Sequence, residues 1–338
     1  MQRGMMTWII FLGGMVSILC AQKTVTPDAA LDSDKDGIAD SLENALLAQF
    51  SPVFMVSRTD CSVLPAQFEL GAKDPTVIAD DGTIYGQVFP RNGHPEEVEL
   101  HYYHLWRKDC GELGHALDAE HVSALIQLGH GADSAKALYW YAAAHEDTIC
   151  DASHLVRAKT ISAEGRGPAV WISPGKHASF LSDVLCASGC GGDRCEDMQK
   201  LKVRSMINVG EIGNPMNNIA WLSAPEWPLQ DKLSRSDFTD NRLARVDRLP
   251  ETDLVWANPS KRPAQAAIFG ANAGIGGVAT GTRETDTALV IANYKTGSAL
   301  GIASGKTEGA LKISSRNVWK VLKKSLQNTG DLLKQPSE

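Results

Sequence analysis

The sequence predicts a mainly β protein: an antiparallel β-sandwich with short helices and a C-terminal extension rich in Gly and Ala. Residues 52–184 alternate short β-favouring runs, such as residues 83–89 and 98–106, with Gly, Pro, Asp and Asn. Strands at such short intervals are typical of sandwiches and barrels rather than of doubly wound sheets. The hydrophobic content of 43% is sufficient for a core. Beyond residue 250 the composition shifts to Gly, Ala, Ser and Thr, which predicts the extension.

The N-terminus carries a predicted export signal. Residues 8–19 form an apolar run behind Arg3, too short to span a bilayer but suited to the core of a signal peptide. We predict a signal peptide over residues 1–21, with cleavage at Ala21. The protein is therefore expected to be secreted, into an extracellular or periplasmic space.

Residues 32–43 have the spacing of an EF-hand calcium loop. Gly37 stands at position 6, where the chain must turn sharply. Positions 1, 3, 5, 9 and 12 are acidic: Asp32, Asp34, Asp36, Asp40 and Glu43. This spacing favours a structural calcium ion over an acidic linker. The loop leads into an amphipathic helix predicted over residues 41–50.

The cysteines fit an oxidising compartment. Six remain after the signal peptide: Cys61, Cys110, Cys150, Cys186, Cys190 and Cys195. Six cysteines can form up to three disulfides, with fifteen possible pairings. The spacing of the last three resembles a zinc knuckle, but no second Cys-x-x-Cys pair is present, so disulfides are favoured over zinc.

Charge and glycine pattern argue against two classes of partner. The net charge of −7 and the pI near 5.7 disfavour nucleic acid. Residues 270–276 are rich in glycine, but no βαβ unit surrounds them, so a dinucleotide is not expected. Leu300 stands where a phosphate-binding loop ending at Thr307 needs its first glycine. We therefore expect neither nucleic acid nor a nucleotide.

Four polar residues predict a second cation site: Asp109, His115, Asp118 and Glu120. The run that follows them is apolar and β-favouring, and in a strand Asp118 and Glu120 point to the same face. Two adjacent carboxylates repel unless a positive charge lies between them. Oxygen-rich ligands with one imidazole suit calcium, magnesium or manganese better than zinc. We predict calcium or magnesium here, with manganese as a third option.

Residues 101–109 form an aromatic run that ends in Arg-Lys-Asp, and residues 114–120 read Gly-His-Ala-Leu-Asp-Ala-Glu. In these features the region from about residue 46 to 180 resembles the necrosis- and ethylene-inducing protein-like (NLP) family of secreted cytolysins. That family carries the signature Gly-His-Arg-His-Asp-Trp-Glu after an aromatic strand that ends in Pro-Lys-Asp. Further landmarks follow the family's order: Phe50-Ser51-Pro52, Gly86-Gln87-Val88-Phe89 and Ile172-Ser173-Pro174-Gly175-Lys176-His177.

The resemblance implies a β-sandwich over residues 46–240, with a surface cavity that holds a divalent cation. The family's metal ligands carry over to Asp109, His115, Asp118 and Glu120. In the family this cavity helps to recognise the sugar headgroup of a plant sphingolipid, and the protein then damages the membrane. The expected partners are therefore a glycan or lipid headgroup, with a membrane surface as a further candidate. Residues 250–338 are predicted to form an appendage that ends in a cationic helix over residues 315–326.

Three functions remain open from the sequence. The first is a secreted, metal-dependent protein that binds a glycan or lipid headgroup. The second is a metal-dependent hydrolase, in which His121, His145 or His177 acts as general base. The third is a structural or adhesion module whose cations only stabilise the fold. The first is favoured, so we expect binding rather than catalysis.

Overall fold

A computed structural model describes residues 31–111, 114–129, 131–148, 150–189, 193–224, 227–247 and 254–258. The predicted signal peptide, Cys190 and residues 259–338, with the predicted terminal helix, lie outside the described residues.

Strands dominate this part of the chain. They are β1 (Val53–Ser57), β2 (Ala66–Phe68), β3 (Val77–Asp80), β4 (Thr83–Pro90), β5 (Glu97–Lys108), β6 (Ala116–Gly129), β7 (Gly131–Ala142), β8 (His154–Arg157), β9 (Ala169–Ile172), β10 (Ser179–Phe180), β11 (Met198–Lys200), β12 (Ser205–Asn208), β13 (Gly210–Glu211), β14 (Asn214–Pro215) and β15 (Val255–Trp256). The helices are α1 (Asp40–Gln49), α2 (Asp183–Ser188) and α3 (Asp240–Val246), with 3-10 turns at Ala158–Ile161 and Ala220–Ser223.

Two sheets organise the described residues. The larger has the order β12-β4-β5-β6-β7-β8-β15, and the smaller has the order β10-β9-β1-β11. Most neighbouring strands are antiparallel, but β12 pairs with β4 and β1 pairs with β9 in parallel. β2 with β3, and β13 with β14, form separate two-stranded ribbons. The mainly β architecture predicted from the sequence is confirmed, with two parallel pairs that the pattern did not predict.

The main core lies between the two sheets. Phe54 and Val170 of the smaller sheet pack into one buried cluster with Tyr102, Val122 and Trp140 of the larger sheet. Helix α1 contributes to the same cluster with Leu46, Leu47 and Phe50. The helix predicted over residues 41–50 is therefore present, one residue earlier, and its apolar side is buried as expected.

A third layer covers the second face of the larger sheet. Residues 219–224 and 227–233 bury Trp221, Trp227 and Leu229 against Tyr85, Tyr103 and other strand residues, and α3 helps to bury Tyr141 with Leu243 and Val246. Strand β5 is consequently buried along almost its whole length. A sheet covered on both faces shows nearly continuous apolar runs instead of clean alternation.

No helix in the described ranges is both long and apolar enough to cross a membrane. β15 belongs to the segment predicted as C-terminal appendage, and it pairs with β8 in the larger sheet. The domain boundaries drawn from the sequence stay predictions.

Candidate functional site

Three segments meet where β5 ends and β6 begins. A disulfide joins Cys61 to Cys110. The backbone N–H groups of Cys110 and Gly111 both donate to the carbonyl oxygen of Gly175, at 2.9 and 3.1 Å. The N–H of Gly175 donates to Asp60 Oδ1 at 3.0 Å. Residues 60–61, 109–111 and 173–178 are thus fastened together. Their polar side chains, with those of two β6 residues and of Lys232 from the third layer, form what we call the polar cluster: Asp60, Asp109, Asp118, Glu120, Lys176, His177 and Lys232.

His177 is the centre of the polar cluster. Its Nδ1 lies 2.9 Å from Asp118 Oδ2, and its ring stacks on Trp106 with centroids 3.9 Å apart. Its Nε2 faces Asp60 Oδ2 at 3.8 Å, beyond hydrogen-bond distance. Both of these atoms are buried and have no hydrogen-bond partner within the described part of the chain. Positive φ angles of 51° at His177 and 58° at Leu117 show that the backbone accepts strain at this place.

A neutral histidine, His104, holds the indole ring of Trp106 through a hydrogen bond. Trp106 Nε1 donates to His104 Nδ1 at 2.8 Å, so the proton of the imidazole lies on Nε2, which is 2.7 Å from Ser179 Oγ. Complete burial holds the pKa of His104 well below its usual value, and the neighbouring His177 lowers it further. His104 is therefore a fixed neutral hydrogen-bonding group rather than a titrating one.

Asp109 is at the outer side of the cluster. Its Oδ1 accepts from Gly111 N–H at 2.7 Å, and its Oδ2 accepts from Lys176 Nζ at 2.8 Å. His115 Nε2 is 3.7 Å from the same Oδ2, and the His115 side chain is 54% exposed. The exposed His115 and the partly exposed Lys176 thus both lie beside Asp109.

Glu120 has a lysine partner as well. Lys232 Nζ lies 3.3 Å from Glu120 Oε2, and Lys232 is held by its carbonyl oxygen, which accepts from Tyr103 O–H at 3.1 Å. Burial raises the pKa of Glu120 to about 7; Lys232 opposes this rise and Asp118 adds to it.

The four predicted metal ligands do not surround one point. Asp118 and Glu120 do lie two residues apart on β6, as predicted. However, the three carboxylates face different partners: Asp109 faces Lys176, Asp118 faces His177 and Glu120 faces Lys232. Among the described residues, the sets whose potential ligand atoms all lie within 4.8 Å include Asp60, Cys61 and His177, but not the predicted four. In this arrangement the four residues do not fit a single ion, and an ion at this place stays a prediction.

Each histidine predicted as a general base pairs with an aspartate. Besides His177 with Asp118, His145 Nε2 is 2.6 Å from Asp193 Oδ2, and His121 Nε2 is 2.9 Å from Asp237 Oδ2. Burial lowers the pKa of His121, whereas for His145 the contact with Asp193 outweighs burial and raises the pKa. None of the three side chains is more than 9% exposed.

A separate charged network lies on the other face of the larger sheet. Asp237 accepts from Ser123 Oγ at 2.7 Å and from His121, and His101 Nδ1 lies 3.7 Å away. Although burial alone would raise the pKa of Asp237, His121, His101 and Arg235 hold it far below its usual value. This network ties the third layer to β5 and β6.

The acidic loop fits a cation. Asp34 and Glu43 are buried, and both carboxylate oxygens of Asp34 and Oε1 of Glu43 have no hydrogen-bond partner within the described ranges. Burial, with the neighbouring Asp36, raises the pKa of Asp34 to about 7, and burial with Asp34 raises the pKa of Glu43 to about 9. Gly37 has the φ of +95° that its turn position needs. Ligand atoms from the five predicted residues fall into two overlapping groups: Asp32, Asp34 and Asp36, and Asp34, Asp40 and Glu43.

The cysteines within the described ranges form disulfides, as predicted. Cys186 pairs with Cys195, and Cys150 is disulfide-bonded as well. Disulfides of this kind are typical of proteins from oxidising compartments. The zinc alternative receives no support from these pairings.

Sequence reasoning missed several members of the site. Asp60 precedes Cys61, and Lys176 precedes His177, so both adjoin residues that the sequence did single out. Lys232 and Asp237 belong to no motif, and only the fold brings them to β6. The aromatic residues of β5 and β7 nearest the site, Tyr102, Tyr103, Trp106 and Trp140, are fully buried in the core and present no face for stacking on a sugar.

Solved NLP structures are similar to this chain. "NLPPya in complex with glucosamine" has a TM-score of 0.37 and 15% identity, and the match covers 63% of this chain and 91% of that one. "NLPPya in complex with mannosamine" has a TM-score of 0.36 and 15% identity, and the match covers 61% of this chain and 89% of that one. "Necrosis and Ethylene inducing Protein 2 from the causal agent of cocoa's Witches Broom disease" has a TM-score of 0.29 and 15% identity, and the match covers 53% of this chain and 79% of that one.

No family model matches the sequence, and no curated protein matches it either. At these identities and TM-scores, the similar structures carry no information about what this chain binds.

Proposed function

We propose that the protein is a secreted glycan-binding protein and that its polar cluster receives the hydroxyl or amine groups of a sugar. The observation that carries this proposal is the gap between His177 Nε2 and Asp60 Oδ2. These buried atoms face each other at 3.8 Å and lack partners within the described chain. An unsatisfied buried polar atom costs about 1–3 kcal/mol. Because His177 Nδ1 directs its proton to Asp118, Nε2 of the neutral imidazole is an acceptor, as is Asp60 Oδ2. The amine group of an amino sugar has more than one N–H, so it could donate to both atoms and satisfy both.

The rest of the cluster extends the same chemistry. Carboxylates accept hydrogen bonds from vicinal hydroxyls and from amines, while the ammonium group of Lys176 donates to a hydroxyl oxygen. Lys176 is 23% exposed and lies at the outer side, next to the exposed His115. The disulfide and the Gly175 hydrogen bonds fix these groups before a ligand arrives, which reduces the entropy lost on binding.

Two of the three histidines that pair with an aspartate, His121 and His145, are buried and lie outside the polar cluster. A general base must come within hydrogen-bond distance of the group it deprotonates. Neither His121 nor His145 is therefore placed to act as a general base on a ligand in the cluster. A sugar-bearing lipid headgroup belongs to the same ligand class as a free glycan, so membrane attachment through such a lipid is part of the proposal.

We further propose that residues 32–43 hold a structural calcium ion. The support is the set of buried carboxylate oxygens without partners on Asp34 and Glu43, since buried charges in proteins are paired or bind metals. Asn208 Nδ2 donates to Glu43 Oε2 at 3.2 Å, so an ion bound by Glu43 would fasten the loop and α1 to β12.

The test of glycan binding is calorimetric titration with free sugars, followed by binding to vesicles that contain a glycosylated sphingolipid. Glucosamine and mannosamine, the sugars named with two similar structures, are the first probes. Asp60→Asn keeps an oxygen for the Gly175 N–H but loses the charged acceptor that faces His177. We expect binding to weaken at least tenfold in this variant.

The matched control is Asp74→Asn, which removes a carboxylate from an exposed position outside the cluster. It should bind like the wild type. Equal affinity of Asp60→Asn and the wild type for every sugar that binds would contradict the assignment of the site. No binding of any sugar or glycosylated vesicle would contradict the function.

A further inference from the structure

Three carboxylates that would normally call for a divalent cation already have cationic or imidazole partners in this chain. Asp109 has Lys176 at 2.8 Å, Glu120 has Lys232 at 3.3 Å and Asp118 has His177 at 2.9 Å. The predicted ligand set assumed that nothing else would neutralise the charge between these carboxylates. Two lysines from distant segments, residues 176 and 232, do so.

Lys176 is seated in a space that a glycine leaves for it. A Cβ atom on Gly111 would lie 2.7 Å from both Cγ and Cε of Lys176, closer than carbon atoms can pack. The lysine stem therefore crosses directly over the Gly111 backbone on its way to Asp109. Because the stem is only partly exposed, the ammonium group is held by packing as well as by charge.

Lys232 is fixed in a comparable way. It comes from the third layer, where its backbone carbonyl oxygen accepts from the buried Tyr103 O–H. Its side chain is 14% exposed and Glu120 is 12% exposed, so the pair is largely shielded from solvent. Ion pairs in such surroundings are screened much less than those on the surface.

We propose that the ammonium groups of Lys176 and Lys232 take the place of a divalent cation in the polar cluster, which makes it a metal-free binding site. The repulsion between an ammonium group and a divalent ion at the same carboxylate disfavours occupation by both. The part of this inference that concerns ligand binding rests on the proposed function, whereas the exclusion of the ion can be measured without a ligand.

The primary experiment measures Mn²⁺ binding to the full-length secreted protein by electron paramagnetic resonance. Mn²⁺ is a spectroscopic substitute for Mg²⁺ and Ca²⁺ at oxygen-rich sites. The wild type and Asp118→Asn should give the same number of bound ions, because any ion in the 32–43 loop contributes equally to both. A Mn²⁺ ion that the wild type binds and Asp118→Asn lacks would overturn the proposal. Asp109→Asn replaces Asp118→Asn if the latter does not fold.

The second experiment removes the lysine charges. The double variant Lys176→Met/Lys232→Met keeps the side-chain stems but leaves Asp109 and Glu120 without their partners. It should bind one more Mn²⁺ ion per chain than the wild type. Lys176→Arg/Lys232→Arg keeps the charges and serves as the control, with no additional ion. A folded Met double variant that gains no ion would overturn the role given to the lysines.

Gly111→Ala tests the seating of Lys176 without any change of charge. The new methyl group should push the lysine stem away from Asp109, and the variant should gain weak Mn²⁺ binding that the wild type lacks. Unchanged Mn²⁺ binding in folded Gly111→Ala would overturn the seating argument. These readouts use only the metal, so a failure to find a sugar ligand would leave their outcome interpretable.

Discussion

At the scale of single residues, burial sets the protonation of groups in the polar cluster and next to it. His104 illustrates this best, because Trp106 donates to one ring nitrogen and Ser179 contacts the other. Protonation of Nδ1 would break the bond from Trp106 and place a charge in the core. The packing of Trp106 under His177 therefore depends on a neutral imidazole.

His104 should make the folded protein less stable in mild acid. Its pKa is well below 6.5 in the folded state but ordinary in the unfolded chain, so only the unfolded chain takes up a proton as the pH falls below about 6.5. Stability is therefore unaffected by this group above that pH and decreases below it, by up to about 1.4 kcal/mol per pH unit. His104→Gln should reduce the slope of unfolding free energy between pH 6.5 and 5, as measured by urea denaturation. An unchanged slope would contradict the assignment.

At the scale of elements, the acidic loop and α1 act as one unit. The loop places unpaired carboxylates directly before the helix whose Leu46, Leu47 and Phe50 enter the main core. Spacing of acidic residues and glycine predicted this unit from the sequence, because all its groups are close along the chain. The partners Lys176 and Lys232 were not predicted, because they reach β5 and β6 only through the fold.

Asp34→Asn should change stability in opposite directions with and without calcium. Without the ion, the buried charge of Asp34 is unfavourable, as its pKa of about 7 indicates, so its removal should stabilise the protein by about 1 kcal/mol. With calcium at a hundred times its dissociation constant, the wild type gains about 2.7 kcal/mol that the variant largely loses. Thermal unfolding measured in chelator and in excess calcium tests both expected changes in stability. A lower melting temperature for the variant in both conditions would argue against an ion-binding loop.

At the scale of the whole molecule, the larger sheet is covered on both faces, and this explains the long apolar strands. The predicted run at residues 98–106 and the apolar run that follows Glu120 are the centres of β5 and β6, which extend to Glu97–Lys108 and Ala116–Gly129. The local pattern of apolar and turn-forming residues was sufficient to predict the strands and the fold class. It was not sufficient for the third layer, because contacts such as Phe68 with Trp221 and Trp227 join residues far apart in sequence.

The third layer should depend on Asp237. This buried carboxylate balances His121 and two arginines, Arg235 and Arg242, between the layers. Breaking a buried charge pair by removing one partner typically costs about 3–5 kcal/mol. Asp237→Asn should lose about that much unfolding free energy in urea with the disulfides intact.

The exposed Asp231→Asn is the matched control for that measurement and should remain within about 0.5 kcal/mol of the wild type. If Asp237→Asn were as stable as this control, the network would contribute nothing to holding the layers together.

The short strand β15 limits where the chain can be truncated. Val255 and Trp256 continue the ladder of β8, and Ala257 N–H donates to Ser153 at 2.7 Å. A chain that stopped at residue 247 would leave the edge of β8 at His154 and Leu155 without its partner strand. Unprotected edges recruit strands from other molecules, so shortened forms of this protein would be prone to self-association through β8.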